Sequence, residues 1–195
     1  MNDNGHDERR QPWWAPFMIR LVLAMVFIVH GSHKLFDTFE PNAEQAKTLA
    51  EIGVIDADAD GRPPTEVGEL RGLHRISMMT HAWGWPLPRY QGWAAALTEF
   101  CGGILLLIGL LSRLAALGIV FVMGVAVFIV HWSPAGINIF HPEWTAGAGG
   151  WEFAGVCLLL ALTILLGGPG RLSIDARLFG RSRPRTESGE EEVQV

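Results

Sequence analysis

Four long apolar stretches run along this chain of 195 residues and set its predicted architecture. They cover residues 16–35, 93–111, 114–130 and 151–166. A helix needs about 20 mostly apolar residues to cross a bilayer core, and each stretch is near that length. Helix is the default spanning structure, because a backbone in lipid has to satisfy its own hydrogen bonds. The pattern therefore predicts an all-α fold, an integral membrane four-helix bundle.

The polar segments complete this prediction. One transmembrane domain is expected over residues 1–181, and its first connection, residues 37–92, is predicted to be a long outer loop. Two parts of that loop, 42–52 and 66–79, have helix-compatible patterns, so the loop is expected to be partly helical. Residues 182–195 are polar and carry blocks of charge, which predicts a disordered cytoplasmic tail.

Composition argues against a soluble alternative. Hydrophobic residues make up 49% of the chain and charged residues 18%. Residues 114–130 contain no charge, amide or hydroxyl, so a soluble amphipathic helix would lack its polar face there. The formal net charge of −5 offers no basic surface for nucleic acid. The expected partners are therefore the lipid bilayer and other membrane protein subunits, with no nucleic acid.

Arginine and lysine positions predict the orientation. Basic residues flank the first stretch on its N-terminal side and follow the last stretch, whereas the connection over residues 131–150 has none. The positive-inside rule then places both termini in the cytoplasm. The first connection also carries basic residues, but long translocated segments contribute weakly to this bias. We expect a multi-pass protein of the bacterial cytoplasmic (inner) membrane.

Ionisable side chains of the spans gather near their outer ends. They are His30, His33, Lys34, Glu99, His131 and Glu152. Such groups cost about 2.5–3.5 kcal/mol each on insertion scales, so their default interpretation is functional. We expect Glu99, His30 and Lys34 to be catalytic. His33, His131 and Glu152 are expected to bind the ligand. In the alternative, the carboxylates only pair with Lys34 or a histidine and tie the bundle together.

A second charged group is expected on the cytoplasmic side. Arg20 lies within the first span, while Arg171 and Asp175 follow the last. The glycines and the proline of residues 167–170 stop the fourth helix, and the turn after them can bring Asp175 beneath Arg20. The sequence predicts a structural ion pair among these three residues.

The outer loop contains an incomplete calcium motif. Asp56, Asp58 and Asp60 match positions 1, 3 and 5 of a calcium-binding loop, with Gly61 at position 6. Position 12 is Val67 instead of glutamate. A calcium site and an acidic solvated turn both remain open.

Three motifs resemble a known family. They are RLVLAMVFIVHGSHKLF at residues 20–36, EFCGGILLLIGLLSRLAAL at 99–117 and GGPGRLSIDARL at 167–178. In this order they look like the DoxX family of small four-helix membrane proteins. The recurrent family positions would be Arg20, Gly31, Lys34, Glu99, Gly103, Arg113, Glu152, Gly170, Arg171, Ser173 and Asp175. The long first connection departs from the family pattern.

The resemblance implies a redox setting, because some family members are described as small subunits of quinol or thiosulfate:quinone oxidoreductases. A redox subunit would bind a quinone headgroup or a sulfur oxyanion at the outer cluster. The electron carrier has to come from a partner subunit or from a haem held by histidines, since no haem-attachment motif, cysteine cluster or flavin fingerprint occurs. The alternative is a non-catalytic scaffold or accessory subunit of a larger complex. The sequence leaves open which of the two applies, and hence whether the chain is an enzyme.

Overall fold

The computed structural model describes residues 12, 14–57, 67–131 and 151–179. Its helices are α1 (Ala15–Phe36), α2 (Ala43–Glu51), α3 (Leu73–Ala82), α4 (Pro88–Ile108), α5 (Ser112–Val125), α6 (Glu152–Gly167) and α7 (Ile174–Phe179). A π-helical turn, Ala126–His131, continues α5. Two short strands, β1 (Thr38–Phe39) and β2 (Leu70–Arg71), pair in antiparallel fashion. The described part of the chain is thus mainly helical, as predicted.

Three of the described helices are long and apolar enough to cross a membrane. They are α1, α4 and the helix that α5 forms with its π-helical continuation, Ser112–Val130. The fourth apolar helix, α6, has 16 residues, or about 24 Å at 1.5 Å per residue. Many large apolar side chains on these helices are exposed, among them Met25, Phe121 and Leu159. Such a surface suits lipid surroundings, because contiguous exposed apolar area is rare on soluble monomers.

The second span begins and ends earlier than the expected 93–111. Pro88 starts α4, because proline fits the first helical turn, where its missing N–H costs nothing. Gly109 ends the helix in a left-handed conformation with φ 72°. The outer insert is therefore shorter than the expected 37–92, since its last residues form the first turn of α4.

Glycines bring α1 and α4 into close contact. A Cβ atom on Gly31 would lie 2.5 Å from the backbone nitrogen of Phe100, and one on Gly103 would lie 2.9 Å from that of Ile28. Small residues at such crossings let two backbones approach, which is how helices associate in membranes. On the other side of the bundle, α5 packs against α6, and α4 and α1 each contact one member of that pair. The buried core includes Leu23, Phe27, Leu106, Ile119 and Ile164.

The outer insert begins with a capped helix and a strand pair. Asn42 and Gln45 form a capping box at the start of α2, with bonds of 2.9 and 3.0 Å between side chain and backbone. This helix lies within the predicted range 42–52. The other predicted range, 66–79, becomes helical only from Leu73 onward, because β2 pairs with β1 just before it. The pairing ties the start of the insert, just after α1, to the segment just before α3.

The insert is fixed to the bundle through α3, which packs along the outer part of α4. At the contact, a Cβ atom on Gly92 would lie 2.6 Å from the carbonyl oxygen of Leu73. Only glycine fits such a close approach of two helices. The contact holds α3 beside the outer ends of the spanning helices.

Candidate functional site

Lys34 of α1 and Glu99 of α4 form an ion pair in the part of the helix assembly that lies nearest the insert between α1 and α4. Lys34 Nζ donates a hydrogen bond to Glu99 Oε1. The glutamate side chain is 1% exposed and the lysine side chain 25% exposed. The pair lies next to the close crossing at Gly31, which places the two side chains at one level. The helix contact therefore compensates a carboxylate that would be costly to bury alone.

The second carboxylate oxygen of Glu99, Oε2, is buried and has no hydrogen-bond donor among the described residues. Leaving a buried acceptor unsatisfied costs about 1–3 kcal/mol. Unsatisfied buried groups are rare in native structures, and each calls for an explanation such as a catalytic or ligand-binding role.

A cavity of about 310 Å³ lies beside Glu99. Its walls come from α1, α3, α4, α5 with the π-helical turn, and the start of α6. The polar lining residues are His30, Lys34, Thr80, Gln91, Thr98 and Glu99. Most of the remaining lining is apolar, and Trp83 and Trp85 meet edge to face there with their ring centroids 5.5 Å apart. Largely apolar walls with a few polar groups are typical of small-molecule sites.

Two of the polar lining residues already have internal partners. Thr80 donates its hydroxyl to the carbonyl oxygen of Ile76 at 3.0 Å, and Gln91 donates its amide to that of Pro86 at 3.3 Å. The ring of His30 stacks on Phe153 of α6, with centroids 5.7 Å apart. Among the lining residues, Glu99 is therefore the one with a buried acceptor, Oε2, that lacks a hydrogen-bond partner within the described parts of the chain.

Comparison with known families matches the DoxX family to residues 64–132. The DoxX resemblance is confirmed over this segment. The matched segment contains α3, α4 and α5 with its π-helical turn, so it supplies Glu99, the insert wall and much of the cavity. No curated protein and no solved structure matches the chain.

Two of the predicted ligand-binding residues lie away from the cavity. His33 is exposed, and its Nδ1 lies 2.7 Å from a carboxylate oxygen of Asp37, one helical turn further along. The nearby carboxylate holds the ring in an outward position. Glu152 begins α6 with a buried Oε2 that lacks a partner, but it does not line the cavity. The structure therefore does not place His33 and Glu152 with Glu99 at this cavity, and their ligand-binding role stays a prediction. The side chain of His131 lies outside the described residues.

Sequence reasoning missed the contribution of the insert. Ile76, Met79, Thr80 and Trp83 all line the cavity. Their spacing of three, four and seven residues from Ile76 places them on one face of α3. That spacing was a usable signal in the sequence. The insert thus forms part of the candidate site.

The expected ion pair of Arg20 with Asp175 is not among the salt bridges of the described residues. Arg20 is 1% exposed and donates from Nη2 to the carbonyl oxygen of Leu172 at 2.6 Å. Asp175 instead accepts hydrogen bonds from the backbone amides of Leu111 and Ser112, each at 2.8 Å. These amides open α5 and need acceptors, which draws the carboxylate to them. Arg171 is exposed and forms no salt bridge within the described ranges.

The calcium prediction cannot be followed in full, because Asp58 and Asp60 lie outside the described residues. Asp56 is exposed at the end of the segment after α2. Among the residues that the structure covers, no cluster of three or more His, Cys, Asp or Glu side chains forms a potential metal site.

His74 of α3 is a titratable group outside the spanning helices. Burial lowers the pKa of this histidine, and the positive charges of Arg89 and Arg71 lower it further. Its Nδ1 is buried and lacks a hydrogen-bond partner within the described parts of the chain. The imidazole therefore favours its neutral form in the folded insert.

Proposed function

We propose that this DoxX protein is a membrane subunit of a quinone-linked redox complex and that its outer cavity binds a quinone headgroup. The observation that carries the proposal is the buried, unpartnered Oε2 of Glu99 in a cavity with mostly apolar walls. A quinol offers a hydroxyl donor to such an oxygen, and its ring and tail suit the apolar lining. A sulfur oxyanion carries no such apolar part and would meet the carboxylate with a like charge.

In the proposed quinol oxidation, three polar residues at the cavity have separate roles. Lys34 holds Glu99 Oε1 and thereby orients the carboxylate. Glu99 Oε2 accepts the proton of one quinol hydroxyl, and the His30 ring takes the second proton. The two electrons pass to a redox group on a partner subunit. The products are then the quinone, protonated Glu99 and His30, and a partner redox group reduced by two electrons.

The proposal includes a four-crossing topology in the bacterial inner membrane, with both termini in the cytoplasm. It is supported by the apolar α6, which packs against α5 and α1 beside the three longer spans. The test places single cysteines at Ala57 and Leu178 after removal of Cys101 and Cys157. We expect an impermeant thiol reagent to label the first site in spheroplasts and not the second. The reverse pattern would overturn the orientation.

Quinone binding is tested with Glu99→Gln, which keeps the shape and removes the charge and the proton acceptor. The probe is a ubiquinone analogue with a ten-carbon tail, added to the complex purified in mild detergent. We expect lost binding and lost quinol oxidation while the protein remains folded and assembled. Glu152→Gln is the matched control, because it removes the same charge from a half-buried glutamate that also has a buried, unpartnered Oε2 among the described residues but lies outside the cavity lining.

The competing interpretation is a non-catalytic scaffold. It predicts that Glu99→Gln changes only stability or retention of partner subunits. Undiminished quinone binding in a folded Glu99→Gln complex would remove Glu99 from the site and contradict the proposal.

A further inference from the structure

The cavity is bordered on one side by a gap between α4 and α5. On the inner side of the cavity the two helices are in close contact, because a Cβ atom on Gly118 would lie 2.8 Å from Thr98 Cγ2. Further toward the outer side, Ala94 of α4 and Phe121 of α5 both line the cavity. Both are also exposed, Phe121 by 66%. Side chains that line a cavity and are exposed at the same time mark where it opens.

The depth of this gap places it in the hydrocarbon region. Phe121 lies near the middle of Ser112–Val130, the most apolar of the candidate spans. Ala94 lies within the candidate span Pro88–Ile108 and faces the same cavity. A middle position in a membrane-spanning helix is far from either aqueous surface. The opening therefore faces lipid tails.

Other sides of the cavity are occupied by side chains of neighbouring elements. On the outer side, Ile76, Met79 and Trp83 of α3 form the wall together with Trp85. Between α1 and α6, the rings of His30 and Phe153 stack with their centroids 5.7 Å apart and narrow the gap, although both side chains are also exposed. The insert thus separates the Glu99 site from the outer aqueous phase.

We propose that the gap between Ala94 and Phe121 is a lateral opening, through which a lipid-dissolved quinone reaches Glu99 from the bilayer. Its headgroup lies at the Lys34–Glu99 pair, and its isoprenoid tail leaves the cavity between α4 and α5. The identity of the ligand rests on the proposed function, whereas the opening itself rests on the helix geometry. This route selects molecules that partition into lipid and excludes small anions that arrive from water.

The opening is tested in the full-length protein by spin labelling in lipid vesicles. A nitroxide is attached at Ala95→Cys, inside the cavity, in a chain with Cys101→Ser and Cys157→Ala. Oxygen, which concentrates in lipid, and a water-soluble nickel chelate serve as relaxation probes. We expect oxygen to reach the nitroxide more readily than the chelate does. Ala94→Phe should reduce oxygen access, because the larger ring fills the opening.

Leu97→Phe is the matched control, since Leu97 is exposed on α4 but does not line the cavity. It should leave oxygen access unchanged. Ala94→Leu adds less volume and replaces Ala94→Phe if the latter does not elute as a folded protein. Preferential access of the nickel chelate, or oxygen access that is insensitive to both Ala94 variants, would overturn the lateral opening.

The two proposals fail in different ways. Lipid-side access without binding of the ten-carbon quinone would support the opening and contradict the quinone assignment. Quinone binding that depends on Glu99, combined with access from water, would support the assignment and contradict the opening.

Discussion

The carboxylate of Asp175 accepts a hydrogen bond from the backbone amide of Leu111, at 2.8 Å from Oδ1. Its other oxygen accepts one from Ser112 at the same distance. The backbone amide of Asp175 in turn donates to the carbonyl oxygen of Gly109 at 2.9 Å. Leu111 has a positive φ of 48°, which is costly for a residue with a side chain. The start of α7 therefore holds a strained turn between α4 and α5 in place.

The first prediction concerns this contact. Asp175→Ala removes the acceptor of two backbone amides at the start of α5, so it should lower the free energy of unfolding by about 1–3 kcal/mol. The measurement is the midpoint of thermal unfolding in mild detergent. Asp56→Ala is the control, because Asp56 is an exposed aspartate of the outer insert. Equal, small effects of both substitutions would contradict the role of Asp175.

A second prediction separates this contact from a direct ion pair with Arg20. Exchanging the charges, with Arg20→Asp and Asp175→Arg in one chain, should not restore the yield of folded protein. An arginine at position 175 cannot accept hydrogen bonds from the amides of Leu111 and Ser112. The double variant is compared with each single variant by gel filtration. A substantial recovery in the double variant would show that the two side chains act mainly as an ion pair.

The third prediction addresses the Lys34–Glu99 pair. Lys34→Met leaves a buried carboxylate without its cation, which should cost about 3–5 kcal/mol of stability. Adding Glu99→Gln removes the uncompensated charge and should recover much of the loss. Thermal unfolding of the wild type, both single variants and the double variant gives the coupling energy. Additive effects would show that the two residues do not depend on each other.

The fourth prediction tests the close crossing of α1 and α4. Gly31→Ala would place its Cβ 2.5 Å from the backbone nitrogen of Phe100, so the helices have to move apart. Overpacking of this kind destabilises proteins by about 1–3 kcal/mol. Gly124→Ala is the control, because nothing lies within 4 Å of a Cβ atom at that position. The control should unfold at or slightly above the wild-type temperature, since alanine favours helix over glycine.

The fifth prediction is a pH dependence of the insert. The pKa of His74 is lowered from its ordinary value of 6.5 in the folded protein, chiefly by burial. Between the ordinary and the lowered value, the unfolded chain binds a proton that the folded chain does not bind. Stability should therefore decrease as the pH falls through this window and level off below the lowered value.

His74→Gln is the variant that isolates this effect from the other histidines. As the pH is lowered below 6.5, the unfolding midpoint of the wild type should fall more than that of His74→Gln. A pH-independent difference would show that His74 does not titrate differently in the folded and unfolded states.

The local sequence pattern locates the helical elements and predicts that Lys34 and Glu99 lie at a similar depth along their helices. Hydropathy along the chain locates the apolar helices, because spanning length depends only on local composition. The direction of each helix then places Lys34 and Glu99 at a similar depth. The DoxX family match over residues 64–132 contains one of the three motifs, at residues 99–117.

The tertiary structure decided which of these groups meet. Lys34 reaches Glu99 because Gly31 lets α1 approach α4, whereas His33 lies only one residue away on the same helix and turns out to Asp37. Successive side chains on a helix point about 100° apart. Which of the two faces α4 depends on how α1 is rotated about its own axis.

The contacts of Asp175 and of α3 also could not be predicted from the sequence. The sequence indicated a charged inner junction, but Asp175 binds the amides of Leu111 and Ser112, which are backbone groups and leave no signal in residue type. Likewise, the contact of Gly92 with Leu73 places α3 against the cavity. Depth and helicity are local properties of a segment and can be predicted from it. Hydrogen-bond partners and cavity walls depend on how distant segments pack, and only the folded chain defines them.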